Sequence, residues 1–204
     1  MHDREKRVKK ILEKSNSFLT GHFRYTSGRH GNQYINKDAI YPNTKHISEL
    51  CQYMAEPFVK KQIDTVLGPA MGGVILAQRV AEHLTMLTRK TIYGVYADKS
   101  KDGNSLEIKR GYDAFVKDKN VLIVEDILNT GGSAKKAIEL VQETGGTVVG
   151  LSALVNRGNV QPINVNNTPI HSLLMLTMET FEEAHCPLCK KNIPLDTNVG
   201  HAKK

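Results

Sequence analysis

One stretch constrains this chain more than any other: Val121-Leu122-Ile123-Val124-Glu125-Asp126-Ile127-Leu128-Asn129-Thr130-Gly131-Gly132-Ser133. The apolar run Val121 to Val124 suits a strand buried on both faces, and it delivers two adjacent carboxylates to the strand end. Thr130, two glycines and Ser133 then open a helix. Backbone N–H groups at such a start, exposed by Gly131 and Gly132, make an anion pocket that the helix dipole reinforces. The Thr130 and Ser133 hydroxyls can add hydrogen bonds to a phosphate. No Lys follows Gly132, so this is not the phosphate loop G-x-x-x-x-G-K-S/T, and it is not the dinucleotide fingerprint G-x-G-x-x-G. Two carboxylates would repel a phosphate placed directly against them. They suit sugar hydroxyls, from which they accept hydrogen bonds, or a metal. A phosphorylated sugar with its ring over Glu125-Asp126 and its phosphate over Thr130 to Ser133 satisfies both halves. A Ser-capped helix after an acidic turn would account for Gly-Gly-Ser alone, but not for the whole string.

Around this string, short apolar runs alternate with amphipathic segments. Ile63 to Leu67 leads into Gly68-Pro69-Ala70-Met71-Gly72-Gly73 and a helix carrying Val74, Ala77, Val80, Ala81 and Leu84. Thr91 to Tyr96 is a second strand, followed by a polar stretch rich in Lys, Asp and Gly. The helix after Ser133 carries Ala134, Ala137, Ile138 and Val141 and stops at Gly145-Gly146. Thr147 to Val155 and His171 to Thr177 are further strands. Ile47, Leu50, Cys51, Met54 and Phe58 form one buried helical stripe, with Asn43 or Thr44 placed to cap it. Cys51 lies on that stripe and reads as a core thiol. The expected fold is α/β, a central parallel sheet flanked by helices with a small N-terminal hood. Open sheets of this kind bind ligands beyond the carboxyl ends of the strands. That singles out residues 68–73, 97–110, 125–133 and 156–159.

A chain of 204 residues is read as a single domain, 1–204, with a hood over 1–40 and a tail over 178–204. At that size it needs no disulfide or metal to fold. Three Cys cannot form a disulfide scaffold, so a reducing cytoplasm is expected. The charged segment Met1 to Lys14 lacks a signal-peptide core, and no apolar run reaches the ~20 residues of a membrane span. The net charge of +7 predicts attraction to nucleic acid, acidic lipid or a polyphosphate substrate without choosing among them. Met1 to Ser15 reads as a charged helix with Val8, Ile11 and Leu12 on one side. Its basic residues suit a solvated face or, alternatively, nucleic acid.

The central string resembles the phosphoribosyl-pyrophosphate (PRPP) signature of type I phosphoribosyltransferases. Gly21 to His30, Tyr34 to Asp38, Gly68 to Gly73 and Val155-Asn156-Arg157-Gly158 resemble the orotate members of that family, in the family's order. The resemblance implies a magnesium-dependent pentosyl transfer from PRPP to orotate. The products would be orotidine 5′-monophosphate, on the pyrimidine (UMP) pathway, and pyrophosphate. It implies a homodimer with shared active sites and no membrane or nucleic-acid partner. It further implies that Glu125 and Asp126 hold the ribose hydroxyls, that Ile127, Leu128, Asn129, Thr130, Gly131, Gly132 and Ser133 cradle the 5′-phosphate, and that Ala70, Met71 and Gly72 contact pyrophosphate. Gly72 replaces a Lys of some relatives. Residues 97–110 correspond to a mobile lid acting on the neighbouring subunit's pyrophosphate, with Lys99 the better match to its working Lys and Lys101 the second; a solvated hairpin loop is the plainer reading. Asp98 precedes Lys99 where many relatives have Arg, and the loop lacks their His. Thr26, Tyr34, Ile35, Asn129 and Arg157 would bind orotate, with Arg157 offering a planar fork to a carbonyl or carboxylate. Asn129 stands where the family usually has Thr, and Thr26 where some members have Lys.

The tail carries His185-Cys186-Pro187-Leu188-Cys189 and ends near His201. Cys186, Cys189 and His201 could hold zinc, although one C-x-x-C is only half of a zinc ribbon. A C-terminal turn with reduced thiols is the other reading. A purine phosphoribosyltransferase and a non-catalytic, PRPP-sensing nucleic-acid regulator are the alternative functions; no helix-turn-helix or aromatic RNA-binding signature supports the second.

Overall fold

The computed structural model describes residues 2–25, 27–197 and 199. The chain divides into two compact units, one of Met1–Asn43 with Thr177–Lys204 and one of Thr44–Leu176. The first unit opens with α1 (His2–Lys14), β1 (Phe18–Arg24) and β2 (His30–Ile35). The second holds α2 (Thr44–Ala55), β3 (Thr65–Pro69), α3 (Gly72–Thr88), β4 (Tyr93–Lys99), β5 (Leu106–Glu107), β6 (Asn120–Leu128), α4 (Gly132–Glu143), β7 (Thr147–Asn156) and β8 (Ile170–Met175). The chain then returns to the first unit with β9 (Thr180–Phe181) and the one-turn α5 (Pro187–Lys190).

The larger unit is built on a six-stranded sheet in the order β5-β4-β3-β6-β7-β8. All neighbours run parallel except the short β4–β5 hairpin. Strand alternation separates two cores. Leu67, Val121, Ile123, Leu151 and Ala153 share a cluster with Ala134, Ala137, Ile138 and Val141 of α4. On the opposite face, Ser152, paired with Val124, donates its hydroxyl to the Met54 carbonyl of α2 at 3.0 Å. Cys51 of α2 is fully buried, and burial pushes its thiol up to about 12, so it packs as a small apolar group. Helix α4 ends as its sequence predicts. Gly145 has φ +87°, Gly146 N–H donates to Val141 and Gly145 N–H to Gln142, the paired bonds of a Schellman cap.

Four strands run past their expected ends, β3 to Pro69 and β7 to Asn156 by a residue or two, β4 and β6 by more. The second was expected over Thr91 to Tyr96, but β4 continues to Lys99 because Asp98 and Lys99 pair with Glu107 and Leu106. The third was expected to stop at Val124, but β6 runs to Leu128 because β7 pairs with it as far as Leu128↔Asn156. Polar residues hide a strand whose order comes from its neighbour rather than from its own periodicity.

In the smaller unit, β1 and β2 form an antiparallel hairpin whose register shifts between Thr20 and Phe23, and β9 pairs with β2 at His30 and Gly31. Val8, Ile11 and Leu12 make the buried stripe of α1, while Arg4, Lys6, Arg7, Lys9 and Lys10 face solvent.

The turn from β3 into α3 is a close contact between backbones. A Cβ on Gly68 would lie 2.1 Å from the Gly73 carbonyl oxygen, and one on Gly73 would lie 2.7 Å from the Gly68 carbonyl carbon. Gly68→Ala should therefore lower thermal stability by about 1–3 kcal/mol, the usual range for overpacking. A melting curve superimposable on that of the unsubstituted protein would show that the turn yields instead.

Candidate functional site

The sheet reverses its winding between β3 and β6. From β3 the chain crosses through α3 to β4 on one side, and from β6 through α4 to β7 on the other. The crevice opened by such a reversal is where sheets of this kind bind ligands. Pairing between β3 and β6 stops at Leu67↔Ile123, two residues before Glu125. Glu125 and Asp126 are 7% and 6% exposed and, as consecutive strand residues, leave the backbone on opposite sides. The Asp126 amide donates to Glu125 Oε1 at 3.2 Å and the Ile127 amide to Asp126 Oδ1 at 2.7 Å. Both carboxylates are thus held in place at the strand end.

Beyond them, Asn129 and Thr130 are exposed and α4 begins at Gly132. Gly131 sits at the helix N-cap with φ +79°, and no side chain caps this end. The Gly132 amide reaches only Thr130 Oγ1, at 3.4 Å. A helix start with glycine in place of a capping side chain leaves its first amides and the positive end of its dipole to an anion. Gly131 meets a conformational need, because its φ is left-handed and a Cβ would lie 3.0 Å from Val160 and 3.1 Å from Val165.

The second loop of the crevice, Ala70 to Gly72, leaves β3 with the Ala70 amide donating to the Ala97 carbonyl at 2.8 Å. Met71 is 85% exposed, Ala70 is half-buried and Gly72, the first residue of α3, is buried. A third loop leaves β7. The amides of Arg157 and Gly158 both donate to the Leu128 carbonyl, at 2.9 and 3.1 Å, and a Cβ on Gly158 would fall 1.4 Å from the Asn129 carbonyl oxygen. The loops bearing Asn129 and half-buried Arg157 are therefore locked backbone to backbone. Asn156, 2% exposed, closes the third loop by donating to the Val160 carbonyl and accepting from the Val160 amide, each at 2.9 Å. Sequence reasoning passed over Asn156. The available signal was a polar residue ending an apolar strand.

Within residues 97–110, β4 and β5 form a hairpin through the Asp98↔Glu107 and Lys99↔Leu106 pairs. Its turn is organised by Asp102, which accepts from Ser100 Oγ and from the amide and side chain of Asn104; these bonds hold its carboxyl below the usual range. The hairpin's four cations divide into two pairs. Arg110 forms an ion pair with Asp98 and stacks 5.2 Å over the Tyr96 ring, and Lys109 pairs with Glu107 at 2.8 Å. Lys99 and Lys101 are exposed and have no ion-pair partner among the described residues. Asp98, the departure from the family pattern, thus restrains Arg110.

Tyr34 and Ile35 lie on β2 of the smaller unit. The Tyr34 ring packs 5.5 Å from Phe23, and Ile35 is buried. Since β9 covers β2 only at His30 and Gly31, the β2 edge from Asn32 to Ile35 that faces away from β1 has no partner strand among the described residues. Thr26 and His201 lie outside the described residues. Cys186 and Cys189 flank the turn of α5, where their neighbours are His22 and His30. His185 instead faces Glu182 at 3.7 Å on the surface.

With this geometry, comparison with known proteins is direct. The phosphoribosyl transferase domain family matches residues 36–173. An orotate phosphoribosyltransferase of Caldanaerobacter subterraneus subsp. tengcongensis is 37% identical over 193 residues, which cover 94% of this chain and 95% of that protein. Among solved structures, orotate phosphoribosyltransferase of Mycobacterium tuberculosis in complex with inorganic phosphate aligns with a TM-score of 0.67 at 23% identity, over 86% of this chain and 97% of that one. Adenine phosphoribosyltransferase of Saccharomyces cerevisiae aligns with a TM-score of 0.63 at 20% identity, over 85% and 100%. At such identities the structural likeness is one of fold, shared by enzymes for different bases. Sequence kinship along nearly the whole chain narrows it: the protein belongs to the phosphoribosyltransferase family, in the group of the orotate phosphoribosyltransferases.

Proposed function

We propose that the protein transfers the 5-phosphoribosyl group of PRPP to orotate, releasing pyrophosphate and forming orotidine 5′-monophosphate. The observation that carries this reading is the β6–α4 connection, with two fixed carboxylates at one end and an uncapped helix start at the other. The 5′-phosphate sits on Ile127 to Ser133, and the ribose hydroxyls face Glu125 and Asp126. As the bond to pyrophosphate lengthens, the anomeric carbon becomes positive, and Asp126 stabilises that charge. Ala70, Met71 and Gly72 hold the leaving pyrophosphate through backbone groups.

Lys99 and Lys101, the hairpin's two cations without an internal carboxylate, close on the pyrophosphate of a neighbouring subunit and exclude water. Orotate binding is assigned to Asn129 and Arg157 and, on the family resemblance, to Thr26 and backbone groups of Tyr34 and Ile35. The Arg157 guanidinium meets the orotate carboxylate as a planar fork. Magnesium, a hard cation that prefers oxygen donors, suits the diphosphate and the two carboxylates, and when bound it neutralises charge on the leaving group. No helix among the described residues is long and apolar enough to cross a membrane, and all three cysteines are free thiols, which fits work in the cytoplasm.

Three measurements test this reading. With PRPP and magnesium, orotate should give orotidine 5′-monophosphate, and omission of magnesium should abolish product; nucleotide formed from adenine or hypoxanthine but not from orotate would overturn the base assignment. Asp126→Asn should lower kcat by about 10²-fold, the usual scale for losing one charge-stabilising group. Its affinity for inorganic phosphate should barely change, because the helix start is intact. Unchanged kcat would make this acid structural. Finally, Lys99→Ala should lower turnover with little loss of stability. Mixing it with Asp126→Asn should restore activity, because a mixed dimer with lids acting across the interface has one intact site. No recovery despite demonstrated subunit exchange would reject the shared site.

A further inference from the structure

Four buried or nearly buried ligand atoms, none of them given a role in the proposed function, converge in the smaller unit. His22 Nε2, His30 Nδ1, Cys186 Sγ and Cys189 Sγ all lie within 4.8 Å of one another. His22 comes from β1 and His30 from the start of β2, while the cysteines come from α5 and the residue before it. His22, His30 and Cys186 are at most 2% exposed. We propose that these four residues form a structural zinc site that fastens the C-terminal tail to the N-terminal hairpin.

The distances match a tetrahedral ion. With Zn–S about 2.3 Å and Zn–N about 2.0–2.1 Å, a regular tetrahedron has S–N edges of about 3.6 Å and an N–N edge of about 3.3 Å. The measured S–N separations are 3.5 Å for Cys186–His22, 3.7 Å for Cys189–His22 and 3.3 Å for Cys189–His30. The two imidazole nitrogens are 2.9 Å apart, so these four edges lie within a few tenths of an ångström of the regular figure. Proton placement agrees. His22 Nδ1 lies 2.7 Å from the Ile193 carbonyl, an acceptor only, so Nδ1 carries the hydrogen and Nε2 turns its lone pair inward. An outer hydrogen bond of this kind orients a ligating histidine. Two thiolates and two imidazoles with no open position favour zinc over magnesium or calcium, and a structural role over a catalytic one.

The fold gives such an ion a task. The smaller unit has only about seventy residues, drawn from both ends of the chain, and units of that size often need a staple. Apart from the cluster, the tail is held by two residue pairs of β9, by Asp196 N–H donating to the His22 carbonyl at 2.7 Å, and by contacts of Arg29 with Thr180 and Glu182. The ion would join histidines and cysteines 156–167 positions apart in sequence, the long closures for which a metal clip stabilises most.

Metal analysis of the untagged full-length protein, purified without chelators under reducing conditions, tests this independently of its enzymatic activity. About one zinc per chain is expected. Cys51→Ser should keep it, and Cys186→Ser/Cys189→Ser should lose it. Because that double variant could fail to fold, cobalt is exchanged into the unsubstituted protein, where tetrahedral d–d bands and a thiolate-to-cobalt charge-transfer band are expected. A strong chelator should also lower the melting temperature. The proposal is overturned by protein that binds no zinc when supplied with it anaerobically, by a different metal at that stoichiometry, by a Cys186–Cys189 disulfide in its place, by cobalt spectra without thiolate bands, or by zinc retained in the double variant.

Discussion

The early end of the β3–β6 ladder is the constraint on which the larger unit's site depends. Three residue pairs, Thr65↔Val121 to Leu67↔Ile123, bind the two central strands, and the chains then part toward opposite neighbours. Strand β6 nevertheless stays extended for five more residues because β7 continues to pair with it as far as Leu128. Its exposed side therefore becomes one wall of a crack, and the residues on that wall are Glu125 and Asp126. Carboxylates in a continuous sheet interior would face a severe desolvation cost. At the end of a ladder they can meet sugar hydroxyls or a cation.

Rigidity around the crack comes from backbone contacts, which substitution can hardly soften. Gly68 touches Gly73 across one loop, and Gly158 touches the Asn129 carbonyl between the other two. Side-chain packing would allow each loop to shift with its neighbours. Direct backbone contact fixes the spacing within the Gly68–Gly73 turn and between Asn129 and Gly158 to within what the peptide groups themselves permit. Such preorganisation gives a polar site its stabilising power, since dipoles already aimed need not reorient during reaction. The β4–β5 hairpin is made differently, with surface ion pairs and a polar turn. Exposed pairs of this kind contribute little stability.

Much of this was legible in the chain because local pattern and tertiary role coincide. The apolar run before Glu125, the glycines opening α4 and the Gly145-Gly146 stop each act through their own backbone, so the residues name the structure. What sequence did not disclose depends on partners distant in the chain. The β1–β2 hairpin contains glycine and polar residues without clean alternation, and its strands are ordered by each other and by β9. The final residues of β6 and β4 are charged and become strand through β7 and β5. The role of Asp98 was hidden for the same reason: its partner Arg110 is twelve residues away in sequence.

The cysteine cluster shows this limit most sharply. Cys186 and Cys189 suggested half a metal site, and the search for the other half stayed within the tail, at His201. The histidines that face them are more than 150 residues earlier, and His22 and His30 drew no notice there as ligands. Metal-ligand spacing is informative when both halves lie in one ribbon, but a site assembled from two chain ends leaves no periodic trace. The physical reason for building it this way follows from the unit itself. A hairpin and a tail from opposite ends of the chain can be held together by four ligands to one ion, without the large buried surface that an equivalent core would need.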